Sequence, residues 1–274
     1  MISLNTPLVS VEWLHSNLNV SNLVVLDASI PKVTDGNTSV IDVQIPKARF
    51  FDLKNKFSDA STPFPTTFPS AEQFSKSAQE LGIDNNSALV IYDDKGIYSS
   101  PRVWWLFKAF GYDNAAVLDG GLPAWQNANY DVENKQDYTG LPGNFKAKYR
   151  PGLMKFFEDI KNESQDAKHT IIDARSEARF KGLVPEPRVG LRSGTIPNSV
   201  NIPYTDLFKD YCFKTMDELR TVFGVFAGQE SNITFTCGSG ITACVLALGA
   251  EMAGYQNISV YDGSWTEWGS LMKE

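Results

Sequence analysis

The sequence predicts an α/β fold of two tandem domains, each a mostly parallel central sheet flanked by helices. Three observations carry that expectation. The chain has 274 residues, more than a single core usually serves and fewer than three ordinary domains need. One order of sequence features occurs twice along it. Within each copy, short β-rich runs alternate with helical segments, the pattern of a parallel sheet covered by helices.

In chain order, the first copy reads VVLDAS, IPKARFFDL, ALVIYDD, FGYDN and VLDGGLPAW. The second reads TIIDAR, IPNSVNIPY, ITFTCGSG, AGYQN and VYDGSWTEW. Asp27 and Asp173 are 146 positions apart, Pro46 and Pro197 are 151 apart, Asp93 and Cys237 are 144 apart, and Gly111–Gly254, Asp119–Asp262 and Trp125–Trp268 are each 143 apart, a shift that stays between 143 and 151 over six markers. So steady an offset points to tandem duplication rather than to two unrelated domains with similar turns. Ile241, Val245, Leu248 and Met252 follow helical spacing and predict a helix from near Ile241 with one buried face. Between the copies, QNANYDVENKQDYTGLPGNFKAKYRPG is polar and lacks sustained periodicity. The expected organisation is a first domain over 1–126, a linker over 127–152 and a second domain over 153–274.

Apolar residues at 42% and charged residues at 21% match soluble globular proteins. A formal charge of -7 and a pI near 5.0 leave no basic stripe for a nucleic-acid partner. The start lacks a charged leader, and no stretch nears the roughly 20 apolar residues of a membrane span. Cys212, Cys237 and Cys244 are too few for a secreted disulfide framework, so a cytoplasmic setting is expected. With only His15 and His169 and no CxxC spacing, neither a metal nor another cofactor is called for. Thiol chemistry is left.

Cys237-Gly238-Ser239-Gly240-Ile241-Thr242 lies between an apolar strand and a helix. A strand-to-helix turn with two glycines can fold its N–H groups inward at the positive end of a helix. That cradle stabilises thiolate over thiol, the form a sulfur nucleophile uses. A plain buried strand-end cysteine would leave the flanking glycines and hydroxyls without purpose. Cys244 reads as a buried small hydrophobe, and Cys212 as a bystander. A tyrosine phosphatase would need an arginine six residues after the cysteine, where Ala243 stands.

CGSGITA, GIYSSPRVWWLFKAFGY with LDGGLPAW, and DARSEARF, PEPRVG and IPNSVNIP together resemble the rhodanese superfamily over nearly the whole chain. The loop is most similar to that of the 3-mercaptopyruvate sulfurtransferases, CGSG followed by Val-Thr, whereas thiosulfate:cyanide rhodaneses carry charged residues after the cysteine. The resemblance implies two rhodanese-like domains, the first non-catalytic and helping to close the site of the second. It implies an enzyme that moves sulfur from 3-mercaptopyruvate through a Cys237 persulfide to a thiol, thioredoxin or cyanide, releasing pyruvate. The amides of Gly238, Ser239, Gly240, Ile241 and Thr242 would stabilise the persulfide. Arg179 and Arg188 would hold the keto acid, since planar guanidinium donors engage carboxylates two at a time; outside this motif they would read as surface ion pairs. Tyr98 matches a segment facing the cleft, although a core tyrosine reads almost as well. Asp59 and Ser239 match two members of a proposed proton-transfer triad whose histidine falls on Thr66 or Thr67 here, and Thr195 replaces a second family histidine. The competing readings are a thiosulfate:cyanide sulfurtransferase, which would want cations in the loop, and a non-catalytic rhodanese-like module, which would have no need of Cys237.

Overall fold

The apolar runs LVVLD and ALVIY form the two central strands of the first of two units into which the chain divides. The computed structural model describes residues 1–33 and 41–272. The first unit comprises residues 1–61, 68–150 and 210–212, and the second residues 62–67, 151–209 and 213–274.

The first unit holds β1 (Leu8–Val9), β2 (Leu23–Asp27), β3 (Arg49–Phe50), β4 (Ala88–Tyr92) and β5 (Ala115–Leu118). They pair in parallel in the order β1-β5-β4-β2-β3. Every residue of β4 and β5 is buried, so these strands read as continuous apolar runs, as strands covered on both faces do. The helices are α1 (Val11–Asn17), α2 (Ala71–Glu80), α3 (Ser100–Ala109) and α4 (Gly121–Asn127). Ser10 and Ser70 cap α1 and α2 by accepting from the Trp13 and Gln73 amides.

The second unit repeats this plan with β6 (Met154–Lys155), β7 (His169–Asp173), β8 (Ser199–Asn201), β9 (Asn232–Thr236) and β10 (Ile258–Tyr261). All pairs are parallel, and the order β6-β10-β9-β7-β8 is that of the first sheet, strand for strand. Its helices are α5 (Phe157–Glu163), α6 (Glu177–Phe180), α7 (Met216–Gly224), α8 (Ala243–Met252) and α9 (Ser264–Leu271). Asp93 follows β4 and Cys237 follows β9, so both stand at the carboxyl end of a central parallel strand. In open α/β sheets that is where ligands bind.

Two local features differ from the sequence expectation. Helix α8 begins at Ala243, and every residue from Ala243 to Ala250 is buried, rather than one face alone, with Glu251 and Met252 partly exposed at its end; a helix stretch apolar all round is a core helix. The polar stretch 127–152 packs onto the first unit as far as Arg150. Glu133–Asn134 pairs antiparallel with Val43–Gln44, and the Arg49 guanidinium lies 4.3 Å from the centre of the Tyr138 ring. Phe145 is buried against Phe74 and Phe107. Single rings at irregular spacing, Tyr130, Tyr138 and Phe145, produce no sustained periodicity, which is why the packing is silent in the sequence. Among the described residues, no helix is long and apolar enough to cross a membrane.

Candidate active site

Cys237 is buried at the end of β9 with 2% of its surface exposed. The loop after it turns through Gly240, whose φ of 76° is the left-handed conformation that glycine adopts without strain. Behind the loop lies the amino end of α9. Its Trp265 and Thr266 amides donate to the carbonyls of Cys237 and Gly238 at 3.0 and 2.9 Å, and the Thr266 hydroxyl also donates to the Gly238 carbonyl. These bonds fix the loop from one side. Among the described residues, the amides of Ser239, Ile241, Thr242 and Ala243 have no protein acceptor, which is the property an anion cradle requires.

Ser264 supplies a second anchor. Its Oγ accepts from the Cys237 and Gly240 amides, both at 3.1 Å, donates to the Tyr261 carbonyl at 2.9 Å and lies 3.9 Å from the Cys237 Sγ. Ser264 is fully buried, and its φ of 50° is costly for a residue with a Cβ. The Gly240 amide, expected to face the persulfide, is therefore spent on Ser264. Sequence reasoning missed this serine, although the repeat contained the signal. The 143-residue offset that aligns Asp119 with Asp262 also aligns Ser264 with Gly121, a glycine at φ 54°.

Arg179 and Arg188 converge on the loop. A methyl group built on Gly238 would lie 3.1 Å from the Arg179 Nη2 and 3.8 Å from the Arg188 Nη1. Both guanidinium groups thus stand beside the residue that follows Cys237. Arg179 is positioned by Glu186, 2.5 Å from its Nη2. Glu186 also accepts from the Arg175 Nη1 at 2.8 Å, and Arg175 pairs with Asp173 at 2.7 Å. Arg175 and Arg192 each lie 4.7 Å from the ring centre of Trp265. Burial pushes the Arg175 guanidinium down, and the carboxylates of Asp173 and Glu186 outweigh it and hold the group above its ordinary value.

Thr66 belongs to the second unit, and its hydroxyl donates to the Ser239 carbonyl at 2.9 Å. Its φ of 56° is unusual for a β-branched residue. Thr67 instead donates to Phe64 and shares a contact with Thr62. Of the two threonines at the expected histidine position, Thr66 is the one that touches the loop.

Asp59 and Tyr98 lie in the first unit. Asp59 accepts from the Ser61 amide at 2.8 Å, and hydrogen bonds from Ser61 hold its carboxyl below the usual range. Tyr98 donates its amide to Asp93 and carries the Lys32 ammonium 5.2 Å from its ring centre. His15 stacks on Tyr130 in the first unit. His169 begins β7, at the end of the sheet opposite Cys237, and contacts Thr234 and Glu163. Cys244 is fully buried in α8. Burial, followed by the neighbouring Asp119, pushes the Cys212 thiol up to about 11.

Comparison with known proteins matches the tandem fold. A rhodanese-like domain model matches residues 10–128 and again 157–271. A mitochondrial thiosulfate/3-mercaptopyruvate sulfurtransferase of Arabidopsis thaliana is 40% identical, over 97% of this chain and 77% of its own. The human 3-mercaptopyruvate sulfurtransferase is 39% identical, over 95% of this chain and 91% of its own. The crystal structure of a 3-mercaptopyruvate sulfotransferase from Escherichia coli superposes with a TM-score of 0.85 at 32% identity, covering 95% of this chain and 99% of that one. With two copies of one domain model spanning most of its length, the chain belongs to the rhodanese family.

Proposed function

We propose that the chain is a sulfurtransferase that takes sulfur from 3-mercaptopyruvate onto Cys237 and passes it to a thiol, thioredoxin or cyanide. One observation carries this reading: Arg179 and Arg188 meet at Gly238, beside a buried cysteine whose loop presents unpartnered amides. Two guanidinium groups at that position suit a planar α-keto acid, with its sulfur directed at Cys237.

In the first step the Cys237 thiolate attacks the substrate sulfur. An S–S bond forms, the C–S bond breaks, and its electron pair leaves on the enolate of pyruvate. The enolate takes a proton, from the substrate's own thiol or from a water beside Ser239 and Thr242, and pyruvate departs. The persulfide anion then rests against the free loop amides, whose fixed dipoles stabilise it without reorganisation. In the second step an acceptor thiolate attacks the outer sulfur and returns Cys237 as thiolate. Residues 153–274 are the catalytic domain in this scheme, and residues 1–126 the non-catalytic one. A reducing compartment, the cytoplasm, suits the chemistry, and all three cysteines are free.

Thiosulfate is the second reading for the donor. It is a dianion, and the loop from Gly238 to Thr242 contains neither lysine nor arginine. Parallel measurement of kcat/KM for the two donors tests the proposal. 3-Mercaptopyruvate is expected to be preferred, and a preference for thiosulfate would refute the donor assignment.

A further inference from the structure

The segment 181–190 has an inverted burial pattern. Leu183 and Val189, which ordinary packing would hide, are 74% and 105% exposed, while Glu186 is the one buried residue of the segment. A carboxylate is seldom taken from water unless strong partners hold it. Here the partners are two arginines: the Arg175 Nη1 at 2.8 Å and the Arg179 Nη2 at 2.5 Å, with the Glu186 side chain wholly buried. Pro185 and Pro187 flank the residue. A following proline confines Glu186 to extended backbone, and Pro185 fixes its own φ, so the carboxylate is presented with little freedom left to lose.

Within the ion-pair network the charges balance, and Arg188 beside Gly238 adds one positive charge to the site. Arg175 and Arg179 bring two positive charges, Asp173 and Glu186 two negative ones, and the four form one connected network. Glu186 holds Arg179 along its Nε–Nη2 edge, and the same Nη2 is the Arg179 atom nearest Gly238, so the carboxylate offsets the charge at the loop itself while the guanidinium keeps its planar geometry. Such a group still recognises a carboxylate by shape and hydrogen bonds, yet it offers little surplus positive charge to a second negative charge on a donor.

We propose that Glu186 is a positioning and specificity-determining residue: it holds Arg179 against the Cys237 loop and, by offsetting the charge of Arg179, favours singly charged sulfur donors over doubly charged ones. The inference rests on the donor reading above and adds a determinant to it.

The test is the ratio of kcat/KM for thiosulfate to that for 3-mercaptopyruvate in wild type, Glu186→Gln and Glu186→Asp. Glu186→Gln removes the charge at nearly constant size. Its ratio is expected to rise about tenfold, the scale of one offset charge in a partly buried site. Glu186→Asp keeps the charge on a shorter stem; it is expected to keep the wild-type ratio while lowering kcat/KM for both donors. A Gln variant in which both values fall in parallel overturns the specificity role, whichever donor the wild type prefers. A wild type that prefers thiosulfate overturns the donor reading, so the two failures are distinguishable. Should the Gln variant not fold, Glu186→Ala, which also removes the charge, replaces it: the same rise in the ratio is expected, and a ratio equal to that of wild type overturns the proposal.

Discussion

The loops after β4 and β9 occupy equivalent places in two sheets of one topology, and only one of them is open. In the first unit, the Asp93 Oδ2 accepts from the amides of Tyr98, Ser99 and Ser100 at 2.8, 3.0 and 2.9 Å and from the Ser100 hydroxyl at 2.7 Å, and the Oδ1 accepts from the Lys95 amide at 3.0 Å. The offset that pairs Asp93 with Cys237 pairs Lys95, Tyr98 and Ser99 with Ser239, Thr242 and Ala243. Those are residues whose amides are unpartnered in the second unit. An aspartate oxygen and the outer sulfur of a cysteine persulfide are each three bonds from the Cα. The first loop thus holds, permanently and within the chain, an anion where the second would hold one transiently.

A second difference lies beneath the loops. In the first unit a Cβ on Gly121 would come within 2.2 Å of the Gly96 carbonyl and 2.5 Å of the Asp93 carbonyl. In the second unit the matching Ser264 fits, strained, with its hydroxyl against the Cys237 and Gly240 amides. One copy thus has an unstrained glycine at this corner, and the other holds strain beside Cys237, the proposed nucleophile.

Removing the reactive or bonding group of each loop residue is the strongest way to break the comparison. Cys237→Ser is expected to abolish sulfur transfer while leaving the thermal midpoint nearly unchanged. Asp93→Ala leaves four amides and a hydroxyl facing an empty site, and is expected to cost about 2–4 kcal/mol of stability in denaturant titration. Activity surviving in Cys237→Ser, or a fully stable Asp93→Ala, would dissolve the distinction. Next in size, Arg179→Ala or Arg188→Ala should lower kcat/KM for 3-mercaptopyruvate by about 2–4 kcal/mol, the loss of a charge-assisted contact, while Cys237 still reacts with a small neutral alkylating agent.

Ser264→Gly makes the second unit resemble the first. Relief of the left-handed backbone, worth about 1 kcal/mol, is opposed by the buried Cys237 and Gly240 amides left without their acceptor, so stability should fall by about 1–2 kcal/mol, and loss of the hydroxyl should lower kcat/KM roughly tenfold. A variant with unchanged kinetics would show that the strain has no catalytic purpose. The smallest expected effect concerns Cys212. With its thiol pushed up to about 11, its thiolate fraction at pH 8 is on the order of 10⁻³, so alkylation there should lag behind Cys237 and accelerate as pH rises. Peptide mapping after timed alkylation checks the order.

The repeat made the fold legible, because strand-end aspartates, Gly-Tyr helix ends and Asp-Gly turns recur at nearly constant offset. The loop and its two arginines were legible as well, because each lies in a short contiguous motif. Ser264 was not, since its meaning depends on a backbone angle and on contacts with residues 24 and 27 positions away. Glu186 was hidden for a different reason: a glutamate between prolines reads as surface, and only the fold turns it inward while Leu183 and Val189 face out. The packing of 127–152 was missed because its anchoring rings, Tyr130, Tyr138 and Phe145, are scattered singly among polar residues and each docks on a different part of the first unit.

A single turnover without acceptor tests the central claim most directly. After incubation with one equivalent of 3-mercaptopyruvate, mass spectrometry of digested protein should place one added sulfur, about 32 Da, on the Cys237 peptide, with one pyruvate released per chain. Sulfur found on Cys212 or Cys244, or pyruvate released undiminished from Cys237→Ser, would contradict it.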